Sequence, residues 1–351
     1  RCHCYEKING GRRLKEIAIL GIESSCDETA AAVIQNGRTI LANVVSTQID
    51  IHKKFGGVVP EVASRNHVVD INRVLEETLE QWGRPLQEID AIAVTYGPGL
   101  AGALLVGLST AKALSFALNK PLVGVNHIEG HIAANYIAFP ELKPPFISLI
   151  VSGGHTHIVE VQDYNQFCIL GKTTDDAAGE AYDKVARAIG LGYPGGPQVD
   201  ALAKQGSYTI DFPKSYYKDD SYNFSFSGLK SAVLNHINSC KMKGLYIHRE
   251  DIACSFQETV VDVLLNKALK AVEEKGYHAL VLSGGVSANS RLRERMKEEC
   301  DKRGYQSYYP PLSLCTDNAA MIASAGYYRY MDGIISDLSL SAKPNLKIGE
   351  R

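Results

Sequence analysis

The stretch EIAILGIESSCDETAAAVI, residues 16–34, decides the fold class of this chain. Two short apolar runs, EIAILGI and TAAAVI, flank the polar turn ESSCDE, and Asn36-Gly37 then makes a hairpin turn into the run TILANVV. Apolar runs of this length, separated by such turns, are typical of neighbouring strands. The sequence therefore predicts strand, turn, strand, turn, strand.

The same order recurs about 130 residues later, within residues 146–173. The second copy reads FISLIV, the glycine turn SGGH, THIVEV and FCILGKT. A helical pattern follows each copy, over Pro60–Trp82 and over residues 175–189. Because a repeat of this length is too long for a solenoid, it predicts two similar lobes, 15–143 and 144–351.

Further helices are predicted over residues 99–118, 252–275 and 287–303, and around the histidine pair at 127 and 131. Strands alternating with helices predict an α/β fold with two mixed sheets facing a cleft. Residues 192–228, rich in Pro, Gly, Tyr and Ser, are predicted to form an insertion at the rim of the second lobe. The last helix can pack back on the first lobe. Residues 1–14, with Cys2-His3-Cys4, are predicted to be an extension outside the fold.

Composition excludes some classes of function. The 351 residues carry 37 Lys+Arg against 39 Asp+Glu, a net charge of −2, so no overall basic field indicates nucleic acid. Any RNA contact must come from a partner or from a local run such as Arg291, Arg293, Arg295 and Lys297. The longest apolar run, 100–118, is interrupted by glycines and Lys112, which predicts a soluble chain without a membrane span. Eight cysteines without CxxC spacing favour reduced thiols in a cytoplasm.

The five residues HIEGH, 127–131, raise the question of a metal site. Residues four apart lie on one face of a helix, so two imidazoles can reach one ion. The zinc-protease pattern H-E-x-x-H needs Glu directly after the first His, but this chain has Ile128 there and Glu129 one position later. The pair taken alone fits a metal site or two polar residues that share a helix.

Three glycine turns follow apolar strands: Gly97-Pro98-Gly99, Ser152-Gly153-Gly154-His155 and Ser283-Gly284-Gly285-Val286. Such turns can present backbone N–H groups to a phosphate, or they can simply turn the chain tightly. None matches the P-loop or the Rossmann pattern.

Several polar residues have two interpretations. Glu180 and Asp183 share a helical face and could accept ribose hydroxyls or could be an exposed charged face. Asn289 could bind a nucleobase or cap a helix, and Thr316 or Asp317 could cap the last helix. Asp317 is also the residue type that two histidine ligands would need as a third.

The chain carries these motifs between about Lys15 and a point beyond Asn345: GIESSCDETAAAV, FGGVVPEVASRNH, TYGPGLAGALLVGL, VNHIEGHIAA, VSGGHTHIV, GEAYDKVAR, GYPGGP, NFSFSGLKSAV, SGGVSANS and CTDNAAMIA. Taken together, they resemble the motifs of one family, the bacterial TsaD proteins. The family belongs to the universal group that makes threonylcarbamoyladenosine in tRNA.

The resemblance implies an actin/Hsp70/sugar-kinase-like (ribonuclease-H-like) fold of two duplicated lobes around a nucleotide cleft. It implies one metal per chain, Fe²⁺ with Zn²⁺ as the alternative, on His127, His131 and Asp317. The implied site for threonylcarbamoyl-AMP, or an ATP/AMP-type nucleotide, is formed by Ile150, Val151, Ser152, Gly153, Gly154, Asp183, Gly196, Asp200 and Asn289. Glu28 or Asp27 could assist proton removal or order the loop.

The implied reaction moves threonylcarbamoyl from threonylcarbamoyl-AMP to N6 of the adenosine beside the anticodon, in tRNAs that read ANN codons, and releases AMP. Implied partners are a TsaB paralogue, paired through first-lobe helices around 62–79 and 104–118, a TsaE ATPase, and tRNA. Two rival hypotheses are a metallopeptidase, which the missing Glu at position 128 counts against, and a nucleotide-dependent scaffold.

Overall fold

The computed structural model describes residues 5–8, 11–14, 16–214 and 221–350. Contacts divide the chain into two compact units. Unit 1 consists of Arg1–Gln48, Val58–Leu142 and Asp317–Arg351, and unit 2 consists of Ile49–Gly57 and Lys143–Thr316. The last segment therefore belongs to unit 1.

The described strands, in chain order, are β1 (Tyr5–Ile8), β2 (Gly11–Leu14), β3 (Ala18–Glu23), β4 (Glu28–Gln35), β5 (Thr39–Thr47), β6 (Ala91–Gly97), β7 (Leu122–Asn126), β8 (Phe146–Val151), β9 (Thr156–Asp163), β10 (Gln166–Lys172), β11 (Ala279–Ser283) and β12 (Gln306–Tyr308). The described α-helices are α1 (Ile49–His52), α2 (Pro60–Trp82), α3 (Ala101–Leu118), α4 (His127–Ala138), α5 (Ala178–Ala188), α6 (Gly195–Ala203), α7 (Ser227–Met242), α8 (Arg249–Lys275), α9 (Ser290–Arg303) and α10 (Ala319–Met331).

Unit 1 is built on a five-stranded sheet in the order β5-β4-β3-β6-β7. The first three strands pair antiparallel, as the opening stretch predicts, and β6 and β7 add in parallel. Leu20 and Ile22 of β3 join the core that α2 and α3 cover. Gly21 faces α10 on the other side, where an added Cβ would lie 2.8 Å from the Ala323 amide nitrogen. Only glycine allows the sheet and α10 to approach this closely.

Unit 2 repeats this topology in the order β10-β9-β8-β11-β12. Again three consecutive strands pair antiparallel, and two later strands extend the sheet in parallel. Helices α5 to α9 contribute the apolar residues of its core. The predicted duplication and the α/β fold class are therefore confirmed.

The predicted helices are confirmed with small shifts in their ends. The helix expected from residue 287 begins at Ser290, because a 3₁₀ turn, Gly285–Ala288, comes first. Residues 192–228, predicted to form an insertion at the rim, contain helix α6. Val199 and Ala203 of α6 are buried and the helix packs on α8, so this part of the segment belongs to the core.

In the predicted N-terminal extension, β1 and β2 pair with each other as a two-stranded sheet, and among the described strands neither has another partner. Cys2-His3-Cys4 lies outside the described residues. Helix α3 is long and apolar enough to cross a membrane by length and composition alone. In this structure it packs on β6 and α2, with Leu104 and Leu108 in the core of unit 1.

Candidate metal centre and glycine turns

Helix α4 begins at the first histidine of the pair. The side chain of Asn126 caps it by accepting a hydrogen bond from the Ile128 amide at 2.9 Å. His131 follows one turn later, and the two imidazole rings lie edge to face with centroids 4.7 Å apart. Both residues are buried. The helix therefore holds two imidazoles side by side inside the protein.

Asp317 completes this cluster from the other end of the chain. Its Oδ1 lies 3.4 Å from His127 Nε2 and 3.2 Å from His131 Nε2. The suggestion that Thr316 or Asp317 caps the last helix is wrong, since Asn318 accepts from the Met321 amide at 3.0 Å. The cap thus leaves Asp317 turned towards the histidines.

The three residues fit a metal ion. One ligand atom from each lies within 4.8 Å of the others. Nδ1 of His131 is buried without a hydrogen-bond partner in the described part of the chain, and its Nε2 faces the carboxylate. Two imidazoles and one carboxylate form a donor set that suits a first-row transition metal and leaves coordination positions open.

Glu23, at the end of β3, orients the first imidazole. Its Oε2 lies 3.0 Å from His127 Nδ1 and accepts from Thr95 Oγ1 at 2.6 Å, while Oε1 accepts from the Ser25 amide at 2.5 Å. Burial raises the pKa of Glu23, but His127 outweighs burial and holds it below its usual value. An Nδ1–H that donates to Glu23 leaves the Nε2 lone pair for a metal.

The same carboxylates act on the charge of His127. Burial lowers the pKa of His127, but Asp317 and Glu23 outweigh it and raise the pKa to about 9. The carboxylates of Asp317 and Glu23 therefore favour a positive charge beside them, which either a proton on His127 or a bound metal cation can supply. Glu23 was not predicted as a site residue, although a carboxylate at the end of an apolar strand was a usable signal.

Glu129, the acid inside HIEGH, has a different role. It is buried, its Oε2 lies 3.1 Å from Arg329 Nη1, and its Oε1 accepts from the Gly349 amide at 3.1 Å. Glu129 thus ties the last segment of the chain to α4. Ile128 is 1% exposed and contributes to the core. Neither residue supplies the general base of a zinc protease.

Gly130 sets how closely α10 approaches this helix. A Cβ at Gly130 would lie 2.6 Å from Ile322 Cδ1 and 3.3 Å from Met321 Cγ, both on α10. Because glycine has no side chain, the helix that follows Asp317 packs directly beside the helix that carries both histidines.

Two further acids of unit 1 lie where the turn after β3 leads into β4. Glu28 and Asp27 are both buried, and Thr47 Oγ1 donates to Glu28 Oε1 at 3.2 Å. Burial, then the carboxylates of Asp317 and Asp27, raise the pKa of Glu28 well above its usual value. Glu28 is therefore a weaker acid, and its carboxylate a stronger base, than an ordinary glutamate.

The predicted SGGH turn follows β8, which ends with Ile150 and Val151. Ser152 closes the turn, since its amide donates to the His155 carbonyl at 2.8 Å and its Oγ accepts from the His155 amide at 3.1 Å. Gly153 and Gly154 are exposed, and their amides donate no hydrogen bond within the described residues. These two N–H groups are available to an anion.

The second glycine turn lies beside the first. Strands β8 and β11 are parallel neighbours, and a Cβ on Gly284 would lie 2.5 Å from the Val151 carbonyl oxygen. A Cβ on Gly179, in the first turn of α5, would lie 2.6 Å from the Ser152 carbonyl oxygen. Two glycine turns and a helix N-terminus therefore meet at one end of the unit 2 sheet, an arrangement that favours a phosphate.

The other predicted nucleotide-site residues connect the helices around these turns. Asp183 Oδ1 accepts from the Gly195 amide at 2.7 Å, next to Gly196, and burial raises the pKa of Asp183. Asp200 Oδ1 accepts from Ser290 Oγ at 2.9 Å. Asn289 caps α9 at the Leu292 amide, and its Nδ2 donates to Gln257 Oε1 at 2.7 Å. Their contacts to a nucleotide remain predictions.

The third glycine turn, Gly97-Pro98-Gly99, belongs to unit 1. The Gly99 amide donates to the Pro344 carbonyl at 3.1 Å, and the Leu100 amide donates to the Ser25 carbonyl at 2.8 Å. Both N–H groups are used inside the protein. This turn therefore follows the alternative interpretation, a tight turn of the chain.

Comparison with known proteins shows which family this chain resembles. Residues 39–324 match the family described as TsaD: tRNA N6-adenosine threonylcarbamoyltransferase. The chain belongs to this family. A curated relative with that family name, from Clostridioides difficile (strain 630), is 62% identical over 338 residues, which cover 96% of this chain and 100% of the relative. The predicted family membership is confirmed.

Two solved structures share the fold of the chain. HypF from T. kodakarensis aligns with a TM-score of 0.62 at 15% identity, covering 95% of this chain and 52% of HypF. Component A of (R)-2-hydroxyglutaryl-CoA dehydratase from Acidaminococcus fermentans aligns with a TM-score of 0.54 at 14% identity, covering 90% and 98%. Both have the actin/Hsp70-like ATPase fold, so the predicted fold is confirmed.

Proposed function

We propose that this chain transfers the threonylcarbamoyl group from threonylcarbamoyl-AMP to N6 of the adenosine beside the anticodon of tRNA. The observation that carries the proposal is the buried cluster of His127, His131 and Asp317 in a member of this family. In the reaction the N6 amine attacks the carbamoyl carbon, the bond from that carbon to the phosphate oxygen breaks, and AMP leaves. The amine loses one proton.

AMP is a good leaving group in a mixed anhydride, so the protein must mainly position the reactants and stabilise charge. The amides of Gly153 and Gly154 hold the phosphate, and the Ile150-Val151 strand end fixes that turn. The nucleoside is surrounded by Asp183, Gly196, Asp200 and Asn289. The Asp183 carboxylate accepts a hydrogen bond from a ribose hydroxyl. This assignment draws on the meeting of the two glycine turns with the start of α5.

We assign Fe²⁺ to the metal centre, with Zn²⁺ as the alternative. Imidazole nitrogen and carboxylate oxygen suit either ion. When bound, the metal supplies Lewis-acid polarisation of an oxygen. The chain's own part is to present His127 Nε2, His131 Nε2 and Asp317 Oδ1 together, with Glu23 fixing the first ring.

Glu28 takes the proton from the attacking amine. A carboxylate whose pKa is raised is a stronger base than an ordinary one, and this favours abstraction of the amine proton. The alternative is that Glu28 only orders its loop through Thr47. Glu28→Gln distinguishes the two, because the amide keeps the Thr47 contact and cannot accept the proton. A normal transfer rate in that variant would leave Glu28 with the structural role.

A TsaB paralogue is the proposed pairing partner, through the helices of unit 1. Helices α2 and α3 pack on each other and present Val68, Val69, Leu105 and Phe116 to solvent with 62%, 75%, 52% and 77% exposure. Large exposed apolar side chains on two packed helices favour an interaction site at this pair of helices. The TsaE ATPase is proposed as a further partner, and the reaction is placed in the cytoplasm with its tRNA substrate.

The direct test is a transfer assay. The purified chain with its partners is incubated with unmodified tRNA and threonylcarbamoyl-AMP. The tRNA is then digested to nucleosides, which are separated by chromatography and identified by mass spectrometry. Threonylcarbamoyladenosine should form in proportion to the AMP released. AMP release without the modified nucleoside would refute the proposed acceptor, and peptide cleavage in its place would support the metallopeptidase rival.

A further inference from the structure

Two hydrogen bonds join three distant segments at one surface of unit 2. Nη2 of Arg187, at the end of α5, donates to the Gly56 carbonyl at 2.7 Å. Nη2 of Arg249, at the start of α8, donates to the Gly190 carbonyl at 3.1 Å. The turn that holds Lys54 and Phe55, the end of α5 and the α7–α8 connection are thereby brought together.

These segments carry a group of cations and exposed apolar side chains, which we name the basic aromatic surface. It consists of Lys54, Phe55, Arg187, Lys241, Met242, Lys243, Leu245, Tyr246 and Arg249.

Few acids face the cations of the basic aromatic surface. In the described part of the chain no ion pair is formed by Lys54, Arg187, Lys241, Lys243 or Arg249, and only Arg187 acts on the pKa of a nearby carboxyl group, that of Asp183. The nearby acids act elsewhere, since Asp50 pairs with Lys53 at 2.8 Å and Glu250 lies 3.9 Å from His248. Positive charge is therefore concentrated here in a chain whose net charge is −2.

The basic run that the sequence suggested for RNA is different. On α9, Arg291 pairs with Glu258 and Glu294, Arg295 pairs with Glu258 and Asp262, and Lys297 pairs with Asp301. Acids of the same protein balance these cations, so α9 offers little attraction to a phosphate backbone.

Exposed rings lie among the unpaired cations. Tyr246 is 77% exposed and packs edge to face against His248 with centroids 4.8 Å apart, and Phe55 is 58% exposed. Met242 is 89% exposed. Exposed rings beside unpaired cations are typical of surfaces that bind single-stranded nucleic acid, because bases stack on the rings while the cations contact the phosphates. A purely acidic protein partner would not require the rings.

We infer that the basic aromatic surface binds the single-stranded loop of the tRNA substrate. The inference rests on the proposed function for its ligand and adds a location on unit 2. Lysines 241 and 243 contact phosphates, and Tyr246 stacks on an unpaired base.

The experiment is a titration of the full-length chain with unmodified tRNA between about 50 and 200 mM salt. The variants are Lys241→Ala/Lys243→Ala and Tyr246→Ala, and the matched control is Lys120→Ala/Lys143→Ala, which removes the same charge elsewhere. The lysine variant should bind several-fold more weakly, and its log–log salt slope should fall by about 1.4, or about 0.7 for each lost single-strand contact. Tyr246→Ala should weaken binding at least fivefold without changing the slope. The control should match the wild type.

Wild-type affinity and slope in the lysine variant would overturn the inference. A lower slope with no effect of Tyr246→Ala would assign the surface to a duplex stem and overturn the single-strand assignment. Lysine variants that bind tRNA normally but fail to assemble with the protein partners would assign it to a protein. Thermal unfolding and adenylate binding should be unchanged in every variant. Because the titration needs no turnover, it reports on the surface even if the transfer assay refutes the proposed reaction.

Discussion

Glu23 Oε2 lies 3.0 Å from Nδ1 of His127, and this contact holds the imidazole with its other nitrogen towards Asp317. Replacing Glu23 by Gln removes the charge and keeps the size of the side chain. Loss of such a partner typically costs 10- to 100-fold in metal affinity, so we expect a weakening of about that size. Competition with a coloured chelator measures it.

The matched control for Glu23→Gln is Glu129→Gln. Glu129 is a buried carboxylate of α4 that pairs with Arg329 and not with an imidazole. This control should change stability but not metal affinity. Equal metal affinity of wild type and Glu23→Gln would show that Glu23 only supports the fold.

Asp317 and Asn318 are adjacent in the sequence, but we expect Asp317 to bind the metal and Asn318 to stabilise α10. Asp317→Ala should lose metal and transfer activity while the fold persists, because a three-ligand centre loses its only carboxylate. Asn318→Ala should keep the metal and lower the free energy of unfolding by about 1 kcal/mol, since it removes the cap of α10. Metal analysis and urea unfolding of both variants test this pair, and full metal occupancy in Asp317→Ala would contradict the centre.

Ile128→Glu restores the letters of a zinc protease and should not create peptidase activity. The side chain at position 128 is buried in the core, and the third ligand remains Asp317. Burying an unpaired carboxyl group should destabilise the chain by several kcal/mol. Casein cleavage and the melting temperature are measured for the Ile128→Glu variant. Metal-dependent cleavage of casein by this variant would contradict the prediction.

His157 should make the chain less stable in mild acid. Burial, with Lys172 as its cross-strand partner, lowers the pKa of His157 to about 4 from an ordinary value of 6.5. As the pH falls, His157 is protonated in the unfolded chain before it is protonated in the folded chain. The contribution of neutral His157 to the free energy of unfolding is therefore complete above pH 6.5 and is lost as the pH falls towards 4. The loss is at most about 3 kcal/mol.

Urea unfolding at several pH values, compared with His157→Gln, isolates this contribution. The two proteins should differ in the pH dependence of their unfolding free energy only within that window. Parallel curves for wild type and variant would contradict the assignment.

Phe116→Asp, combined with Val69→Asp, should prevent pairing with the TsaB paralogue. Both side chains are more than 70% exposed, so the monomer should tolerate the charges, whereas a buried interface should not. We expect at least a tenfold loss of affinity in sedimentation or light scattering. Ile335→Asp, another exposed apolar position of unit 1, is the control and should pair normally. Normal pairing of the double variant would place the interface elsewhere.

The sequence predicted much of this fold because strand order and helix periodicity are local properties. The duplication was visible since both copies repeat the same turns and apolar runs. Helix α6 was missed because Gly195, Gly196 and Pro197 are typical of loops, yet the packing of Val199 on α8 outweighs that local preference.

For the site, spacing along the chain showed the histidine pair but could not show its third ligand. Asp317 lies far along the sequence from His131, and only the packing of α10 on α4 brings them together. The roles of Glu23 and Glu129 also depend on tertiary contacts, because neither lies in a pattern that distinguishes a partner of histidine from a partner of arginine.

The close packing of α4 and α10 at Gly130 means that the distance from Asp317 to the two histidines depends on how these helices pack, and not only on the three ligand side chains. A single added carbon there would lie 2.6 Å from Ile322 Cδ1 and 3.3 Å from Met321 Cγ, so these side chains of α10 would have to rearrange just after Asp317. Zinc and similar ions accept bond lengths within a few tenths of an ångström. Ion preference in this centre could therefore drift through substitutions that never touch an ion, and a relative with a bulkier residue at this point would need a compensating loss of volume at Ile322.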